Sequence, residues 1–165
     1  MFSTAIHTKT REVLKKIYNT GILDDFYLAG GTALALHLGH RESIDLDFFT
    51  NNFPKIDILK SKLKELNIEI INENYNTLDL NIDGVKVSLL EYSYPLLKEI
   101  EYFENIKIAS ILDIACMKIS AISSRGTKKD FIDIFYILKQ FSLNEIILGF
   151  EKKYQGVNYS LKHIY

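Results

Sequence analysis

The chain contains 165 residues, a length that fits one domain or one core with a small appendage. Hydrophobic residues form 47% and charged residues 25% of it, which excludes a disordered chain, a collagen-like chain and a disulfide scaffold. The formal net charge of −1 gives no general attraction to nucleic acid or membranes, so any such affinity must come from a local patch.

Cysteine content and N-terminal composition predict where the protein works. The single cysteine, Cys116, excludes an internal disulfide bond and fits a reducing compartment. It lies on an apolar helix face, where it reads as a small core residue rather than a nucleophile. The first residues mix charges and lack the apolar segment of a signal peptide, and no apolar run approaches a membrane span. We therefore expect a cytoplasmic protein with no membrane partner.

Apolar periodicity divides the chain into helices and strands in order. Helical spacing predicts helices over 4–20, 33–38, 54–66, 111–122, 131–138 and 142–153. Short or alternating apolar runs predict strands over Phe26–Ala29, Ser43–Phe49, Ile68–Asn72, Thr77–Ile82 and Val85–Tyr92. Gly21 is expected just after the first helix, Thr32 as the N-cap of the second, and Pro54 in the first position of the third. Asp83-Gly84 predicts a type I′ hairpin.

These elements predict an α/β (α+β) fold in two parts. Residues 1–108 form a mixed β-sheet flanked by helices, and residues 109–165 form a helical part. The apolar stripe of the fifth predicted helix comprises Phe131, Ile134, Phe135 and Leu138. Because the helical part is too small to bury its stripes alone, we expect it to pack on the sheet and not to fold independently.

Residues 26–50 carry the strongest chemical signal. A strand that runs into Gly30-Gly31-Thr32 and then a helix presents backbone N–H groups that bind phosphate. On the next strand, Asp45 and Asp47 project from one face and can share an ion. Two carboxylates beside a phosphate site describe a metal-dependent phosphoryl or nucleotidyl transfer centre. Each motif alone has a plainer explanation, since glycine pairs usually form simple turns and acidic pairs usually face solvent.

The same residues resemble a known family. Gly30-Gly31-Thr32, Gly39-His40-Arg41, Ser43 and Asp45-Leu46-Asp47-Phe48-Phe49 are similar to the first motif of the AbiEii/AbiGii-type nucleotidyltransferase toxins. That family has the DNA polymerase β-like minimal nucleotidyltransferase fold. The stretches Asp113–Lys118 and Arg125–Ile134 resemble its downstream signature, which combines a lysine-bearing helix, an arginine and a basic-Asp-x-x-Asp helix.

The resemblance implies an enzyme that binds a nucleoside triphosphate with Mg²⁺ (or Mn²⁺) in a toxin–antitoxin or phage-defence setting. RNA is the expected acceptor, and a cognate antitoxin is the expected protein partner. The predicted catalytic residues are Asp45, Asp47, Lys118 and Asp130, of which Asp45 and Asp47 are the predicted metal ligands. The predicted nucleotide-binding residues are Gly30, Gly31, Thr32, Arg41 and Arg125. Asp130 has a second reading, in which it orients Lys118 or Arg41 by a charge-assisted hydrogen bond.

A third carboxylate, which the wider fold carries on a strand beside the acidic pair, is not evident. Strand alternation puts Ser88 at that position and Glu91 on the opposite face unless a bulge re-aims it, while Asp79 lies on the preceding strand. The leading prediction is therefore a nucleotidyltransferase, and the alternatives are a non-catalytic nucleotide-binding module and a phosphohydrolase.

Overall fold

The computed structural model describes residues 1–157, which divide between two compact units. The first unit comprises Met1–Ser93 and Tyr102–Ile108, and the second comprises Tyr94–Glu101 and the chain from Ala109 onward. The helices are α1 Thr8–Asn19, α2 Gly30–Leu38, α3 Ile56–Leu63, α4 Ile111–Ser124, α5 Lys128–Ile137 and α6 Leu143–Lys153. The strands are β1 Tyr27–Ala29, β2 Leu46–Thr50, β3 Ile68–Asn74, β4 Thr77–Ile82, β5 Val85–Glu91, β6 Glu101–Phe103 and β7 Ile106–Ile108.

The strands form one mixed sheet of seven in the order β3-β4-β5-β2-β1-β7-β6. Strand β2 lies at its centre, parallel to β5 and antiparallel to β1. Its alternate residues Leu46 and Phe48 are fully buried, as are Leu78, Leu80 and Ile82 of β4. The expected mixed sheet with helices and a helical C-terminal part is confirmed.

Several element boundaries differ from the sequence predictions. Strand β2 begins at Leu46 rather than Ser43, and Ile44, expected on the buried face, is 55% exposed. Helix α2 already begins at Gly30 with Ala29 as its N-cap, so the expectation that Thr32 caps it is wrong. The expectation that Pro54 occupies the first position of α3 is also wrong, because Lys55 is the N-cap of this helix and the proline precedes it.

Strands β6 and β7 were not predicted. Each contains three residues, too few for alternation to be recognised, and the turn between them uses Glu104 and Asn105 at φ 45° and 68° instead of glycine. By contrast, Asp83 and Gly84 both have positive φ, as their predicted hairpin turn requires. Within the described residues, no helix is long and apolar enough to cross a membrane.

A buried ion pair holds the second unit together. Lys153 of α6 and Asp113 of α4 are almost completely buried, and the lysine Nζ lies 2.8 Å from Asp113 Oδ1. The ammonium also donates to the carbonyl of Pro95 at 2.7 Å. The aspartate accepts hydrogen bonds from the backbone N–H groups of Leu97 and Lys98 and from the hydroxyl of Ser110. Two helices and the segment before β6 are therefore tied to one carboxylate.

Helix α5 turns its predicted apolar stripe outward. Phe131, Phe135 and Leu138 are 55%, 60% and 42% exposed, whereas Asp130 and Asp133 of the same helix are buried. The expectation that this stripe packs into a core is therefore wrong. The physical reason is that both aspartates pair with Lys118 inside the unit, and this arrangement orients the helix.

Candidate active site

Gly30 stands where β1 ends and α2 begins, and it lies directly against the carboxylate of Asp47. The residue has φ 69°, and a Cβ placed on it would lie 2.7 Å from Asp47 Oδ2. Any side chain here would displace the carboxylate and strain the backbone. The first N–H groups of α2 have no partner inside the helix, since they precede its hydrogen-bond ladder. The Asp47 carboxylate thus lies at the N-terminal end of α2.

The sheet register fixes which residues flank Asp47. On one side it pairs with Ala29 of β1, and on the other with Ser88 of β5. Ser88 in turn pairs with Asp79 of β4. Residues paired across a sheet project from the same face, so Asp47, Ser88 and Asp79 form a row across three adjacent strands.

Glu91 lies on the other face of β5. It pairs with Thr50, an odd number of residues beyond the Asp47–Ser88 pair, and the β2–β5 register runs from Leu46 to Thr50 without a shift. No bulge therefore turns the Glu91 side chain towards Asp47. Of the three positions considered for a third carboxylate, Ser88 is adjacent to Asp47, Asp79 is one strand further away, and Glu91 is on the opposite face.

A cationic side chain covers the second glycine. A Cβ on Gly31 would lie 2.6 Å from Nη2 of Arg41 and 3.5 Å from the hydroxyl of Ser43. The guanidinium also donates to the carbonyl of Glu42 at 3.1 Å. A positive side chain and a helix N-terminus both favour an anion, so the surroundings of Gly31 suit phosphate.

Asp45 lies just before β2 rather than within it. Side chains from two helices hold this segment: Thr10 of α1 donates to the carbonyl of Ile44 at 2.9 Å, and Thr32 of α2 hydrogen-bonds to the carbonyl of Asp45. The Thr32 hydroxyl also lies 2.7 Å from that of Ser43, and Thr32 is 1% exposed. The structure therefore uses the Thr32 side chain to fix the loop between α2 and β2.

The residues at this turn fit a divalent metal that is completed by substrate. In the described part of the chain, no three His, Cys, Asp or Glu side chains are grouped to hold a metal. Mg²⁺ is commonly held by one or two carboxylates together with substrate phosphates and water. Asp45 and Asp47 carry the hard oxygen atoms that such an ion takes, and the Asp47 carboxylate lies beside Gly30 at the N-terminal end of α2.

Lys118 is ion-paired within the second unit. Its Nζ lies 2.9 Å from Asp130 Oδ1 and 2.8 Å from Asp133 Oδ2. The other Asp130 oxygen accepts from the backbone N–H and the hydroxyl of Thr127, which completes a capping box at the start of α5. Both oxygens of Asp130 are thus engaged, an arrangement that matches the reading in which Asp130 orients Lys118.

The hydrogen bonds of Asp130 also set its acidity. Burial favours the neutral acid, but the hydrogen bonds from Lys118 and Thr127 outweigh it and hold the pKa of Asp130 below its ordinary value of 3.8. The carboxylate is therefore charged at neutral pH. The predicted nucleotide-binding residue Arg125 is the C-cap of α4. It is exposed and belongs to the second unit.

An aromatic group on the Asp47 face of the sheet was not predicted as part of the site. Tyr27 and Phe49 are cross-strand partners with ring centroids 6.1 Å apart, and Phe49 meets Tyr92 edge-on at 5.5 Å. All three are half-buried. The signal available in the sequence was the spacing of Phe49 from Asp47, two residues apart on one strand and hence on one face.

Strand β1 runs through the Gly30-Gly31 turn into the N-terminus of α2, and Asp47 lies on β2, the central strand beside β1. This arrangement is that of a nucleotidyltransferase-like fold. Solved structures agree at the level of the fold. One is a putative nucleotidyltransferase from Helicobacter pylori, with TM-score 0.60, 23% identity, and coverage of 86% of this chain and 71% of that chain. Another is ANT(2")-Ia in complex with adenylyl-2"-tobramycin, with TM-score 0.65, 11% identity, and coverage of 87% and 95%.

The family follows from sequence comparison. Residues 12–81 match the model described as "Nucleotidyl transferase AbiEii toxin, Type IV TA system". The chain is also 41% identical over 158 residues to the uncharacterized protein aq_aa25 of Aquifex aeolicus strain VF5, covering 92% of this chain and 77% of the relative. Over residues 12–81 the chain is similar to the AbiEii nucleotidyltransferase toxin family, and the predicted resemblance is confirmed.

Proposed function

We propose that the protein binds a nucleoside triphosphate at the β1–α2 turn and transfers its nucleotidyl group to an RNA hydroxyl. One observation carries the proposal: the Asp47 carboxylate lies against Gly30 at the N-terminus of α2. The helix end and Arg41 bind the phosphates, while Asp45 and Asp47 hold Mg²⁺ or Mn²⁺. The metal, when bound, neutralises triphosphate charge and orients the α-phosphorus. The acceptor oxygen bonds to that phosphorus as the bond to pyrophosphate breaks.

Residues of the first unit account for each requirement of this reaction. Gly30 and Gly31 let the Asp47 carboxylate and the Arg41 guanidinium lie against the backbone of the turn, because a Cβ at either position would collide with them. The α2 dipole and the Arg41 guanidinium offset the negative charge that develops on the leaving pyrophosphate. We leave Lys118 and Asp130 out of this step, since the lysine is already neutralised by two carboxylates.

Deprotonation of the acceptor hydroxyl is assigned to Asp79 rather than Glu91. The register across β2, β5 and β4 supports this choice, because Asp79 shares the face of Asp47 while Glu91 does not. Ser88 stands between the two aspartates, and its hydroxyl is not a base at neutral pH unless a neighbour accepts its proton. We infer that Asp79 acts through Ser88 or through a water molecule.

The second candidate is a nucleotide-binding module that does not transfer. The observation that favours it is Ser88, a neutral side chain where a carboxylate beside Asp47 would complete a three-acid site. This module would bind the triphosphate at the same turn and leave its phosphate bonds intact. A cognate antitoxin and a cytoplasmic location are further expectations that rest on the similarity to the AbiEii family.

Transfer of label from a nucleoside triphosphate to RNA distinguishes the nucleotidyltransferase from the binding module. The full chain is incubated with each α-labelled nucleoside triphosphate, Mg²⁺ and total RNA, and labelled RNA is counted. Asp47→Asn is expected to reduce transfer at least about 100-fold, while Asp57→Asn, an exposed acid on α3, leaves it unchanged. Asp79→Asn should slow transfer, Ser88→Asp should accelerate it, and Glu91→Gln should have no effect.

Other outcomes would decide against transfer. Triphosphate binding, seen as a rise in melting temperature, without labelled RNA from any nucleotide would favour the binding module. Release of labelled monophosphate without RNA labelling would indicate hydrolysis instead.

A further inference from the structure

Strand β3 forms an open edge of the sheet. Within residues 1–157 it pairs with β4 alone, and its residues from Glu69 to Asn74 are exposed. Ile70 and Ile71 are 42% and 55% exposed, and Tyr75 at the following turn is 86% exposed. An edge strand of this kind presents a row of backbone N–H and C=O groups that another chain can pair with. Natural edges are usually shielded, so exposed isoleucines here require an explanation.

A bulge limits what can pair with this edge. The β3–β4 register shifts between Ile70 and Asn72, which leaves Ile71 without a partner on β4. Bulges twist an edge and prevent long, flat pairing. The edge therefore suits a short extended segment, placed on one side of the bulge, better than a long strand.

A polar recess adjoins the first half of the edge. It has a volume of about 380 Å³, and Asn67, Glu69, Asn81, Asp83 and Gly84 line it. Asp83 is paired with Lys16 at 2.7 Å. Glu69, in contrast, forms no ion pair with any cationic side chain of the described chain. The Asp83 end of the recess already has two ammonium groups nearby, those of Lys16 and Lys9, the second of which would lie 3.4 Å from a Cβ on Gly84. Glu69 is therefore the acidic group of the recess that suits a lysine or arginine head group.

The charges on β3 argue against a second copy of the chain. Strand β3 carries Glu69 and Glu73 and no basic residue. In a fully overlapped antiparallel pair of two β3 strands, Glu69 of one copy would face Glu73 of the other, and directly opposed like charges are destabilising. A basic segment would instead meet complementary charge at Glu69, while Glu73 is already paired with Lys60 of α3.

We propose that the β3 edge and the Glu69 recess form a docking site for a short basic segment of a partner protein. The segment adds to the sheet as an extra strand, covers Ile71 with an apolar side chain and places a lysine or arginine beside Glu69. Backbone hydrogen bonds supply affinity, and the recess supplies selectivity. This site is separate from the nucleotide turn, so the proposal does not depend on catalysis.

The test uses synthetic peptides of about eight residues and the full chain. One peptide alternates lysine with valine, a second replaces lysine with glutamate, and a third is the lysine peptide N-methylated at alternate residues. Binding is followed by fluorescence anisotropy at low salt, with circular dichroism to verify the fold of each variant. The lysine peptide should bind, and the glutamate and N-methylated peptides should not.

Substitutions locate the site. Glu69→Lys should weaken the lysine peptide at least about fivefold and create binding of the glutamate peptide. Ile71→Lys should also weaken binding, whereas Ile58→Lys, a comparably exposed isoleucine on α3, should not. Absence of binding by the lysine peptide, or binding that Glu69→Lys leaves unchanged, would overturn the proposal. So would a dimer of the wild-type chain in sedimentation that Ile71→Lys dissociates.

Discussion

At Gly30, the backbone and a neighbouring carboxylate together exclude a side chain. Gly30→Ala should cost about 1–2 kcal/mol from the left-handed backbone alone, and it should also displace Asp47. Gly156 provides a matched control, because it too has positive φ (81°) but a Cβ there would meet nothing within 4 Å. We expect Gly30→Ala to lose more stability than Gly156→Ala in urea titrations, because only the Cβ at position 30 also collides with a neighbouring side chain.

The two glycine variants should differ in nucleotide binding. Gly30→Ala should lose the rise in melting temperature that ATP and Mg²⁺ produce, while Gly156→Ala should retain it. Equal retention in both variants would mean that Asp47 need not lie beside the turn for the triphosphate to bind.

Because the Asp130 carboxylate is charged in the folded protein, the stability of the second unit depends on pH. Its pKa is lowered in the folded state, so its contribution to stability is complete above the unfolded value of about 3.9 and is lost as pH falls through the folded value. Asp130→Asn should cost about 2 kcal/mol at pH 7. The free-energy difference from wild type, measured in urea, should shrink below pH 4, and a difference that stays constant to pH 2.5 would refute this account.

Among the elements, α4 and α6 depend on a single buried ion pair. Lys153→Met leaves Asp113 charged and buried with only neutral donors, and it should destabilise the protein by about 3–5 kcal/mol. The adjacent Lys152 is exposed, so Lys152→Met should change the free energy of unfolding by less than about 0.5 kcal/mol. Similar effects of the two substitutions would indicate that the buried pair is not needed.

Elements with a strong periodic signal were predictable, and those decided by distant partners were not. The β4–β5 hairpin followed from alternation and a turn of known chemistry. The outward turn of Phe131 and Phe135 depends on Lys118, which pairs with the following helix. The Asp113–Lys153 pair joins residues 40 positions apart, and no local pattern marks it.

The candidate site likewise contains some features that the sequence could predict and others that it could not. The proximity of Gly30 and Asp47 could be expected because they occupy a strand end and the next strand of one sheet. The position of Ser88 beside Asp47 followed from alternation along β5. The start of β2 at Leu46 rather than at Ser43 could not be predicted, because hydroxyl groups of Thr10 and Thr32 from other elements bind the backbone just before Leu46 in place of strand pairing.

For the molecule as a whole, chemical labelling of Cys116 tests whether the two units unfold cooperatively. The residue is fully buried, and burial raises the pKa of its thiol to about 12, so a thiol reagent should not label it in the folded protein. The chain passes between the two units at residues 93–94, 101–102 and 108–109. We expect Cys116 labelling and loss of the sheet signal in circular dichroism to share one urea midpoint. Labelling at clearly lower urea would instead show that the helical unit unfolds separately.

Helix α5 keeps its aspartates inside and its phenylalanine rings outside, and this arrangement affects how the protein responds to crystallisation salts. Ammonium sulfate strengthens contacts between apolar surfaces, while it weakens interactions of exposed charges and affects buried ones far less. The Lys118 cluster is mostly shielded from added ions, whereas Phe131 and Phe135 meet the solvent directly. These rings should therefore contribute to salting-out, and glutamine at both positions should keep the protein in solution at higher precipitant concentrations.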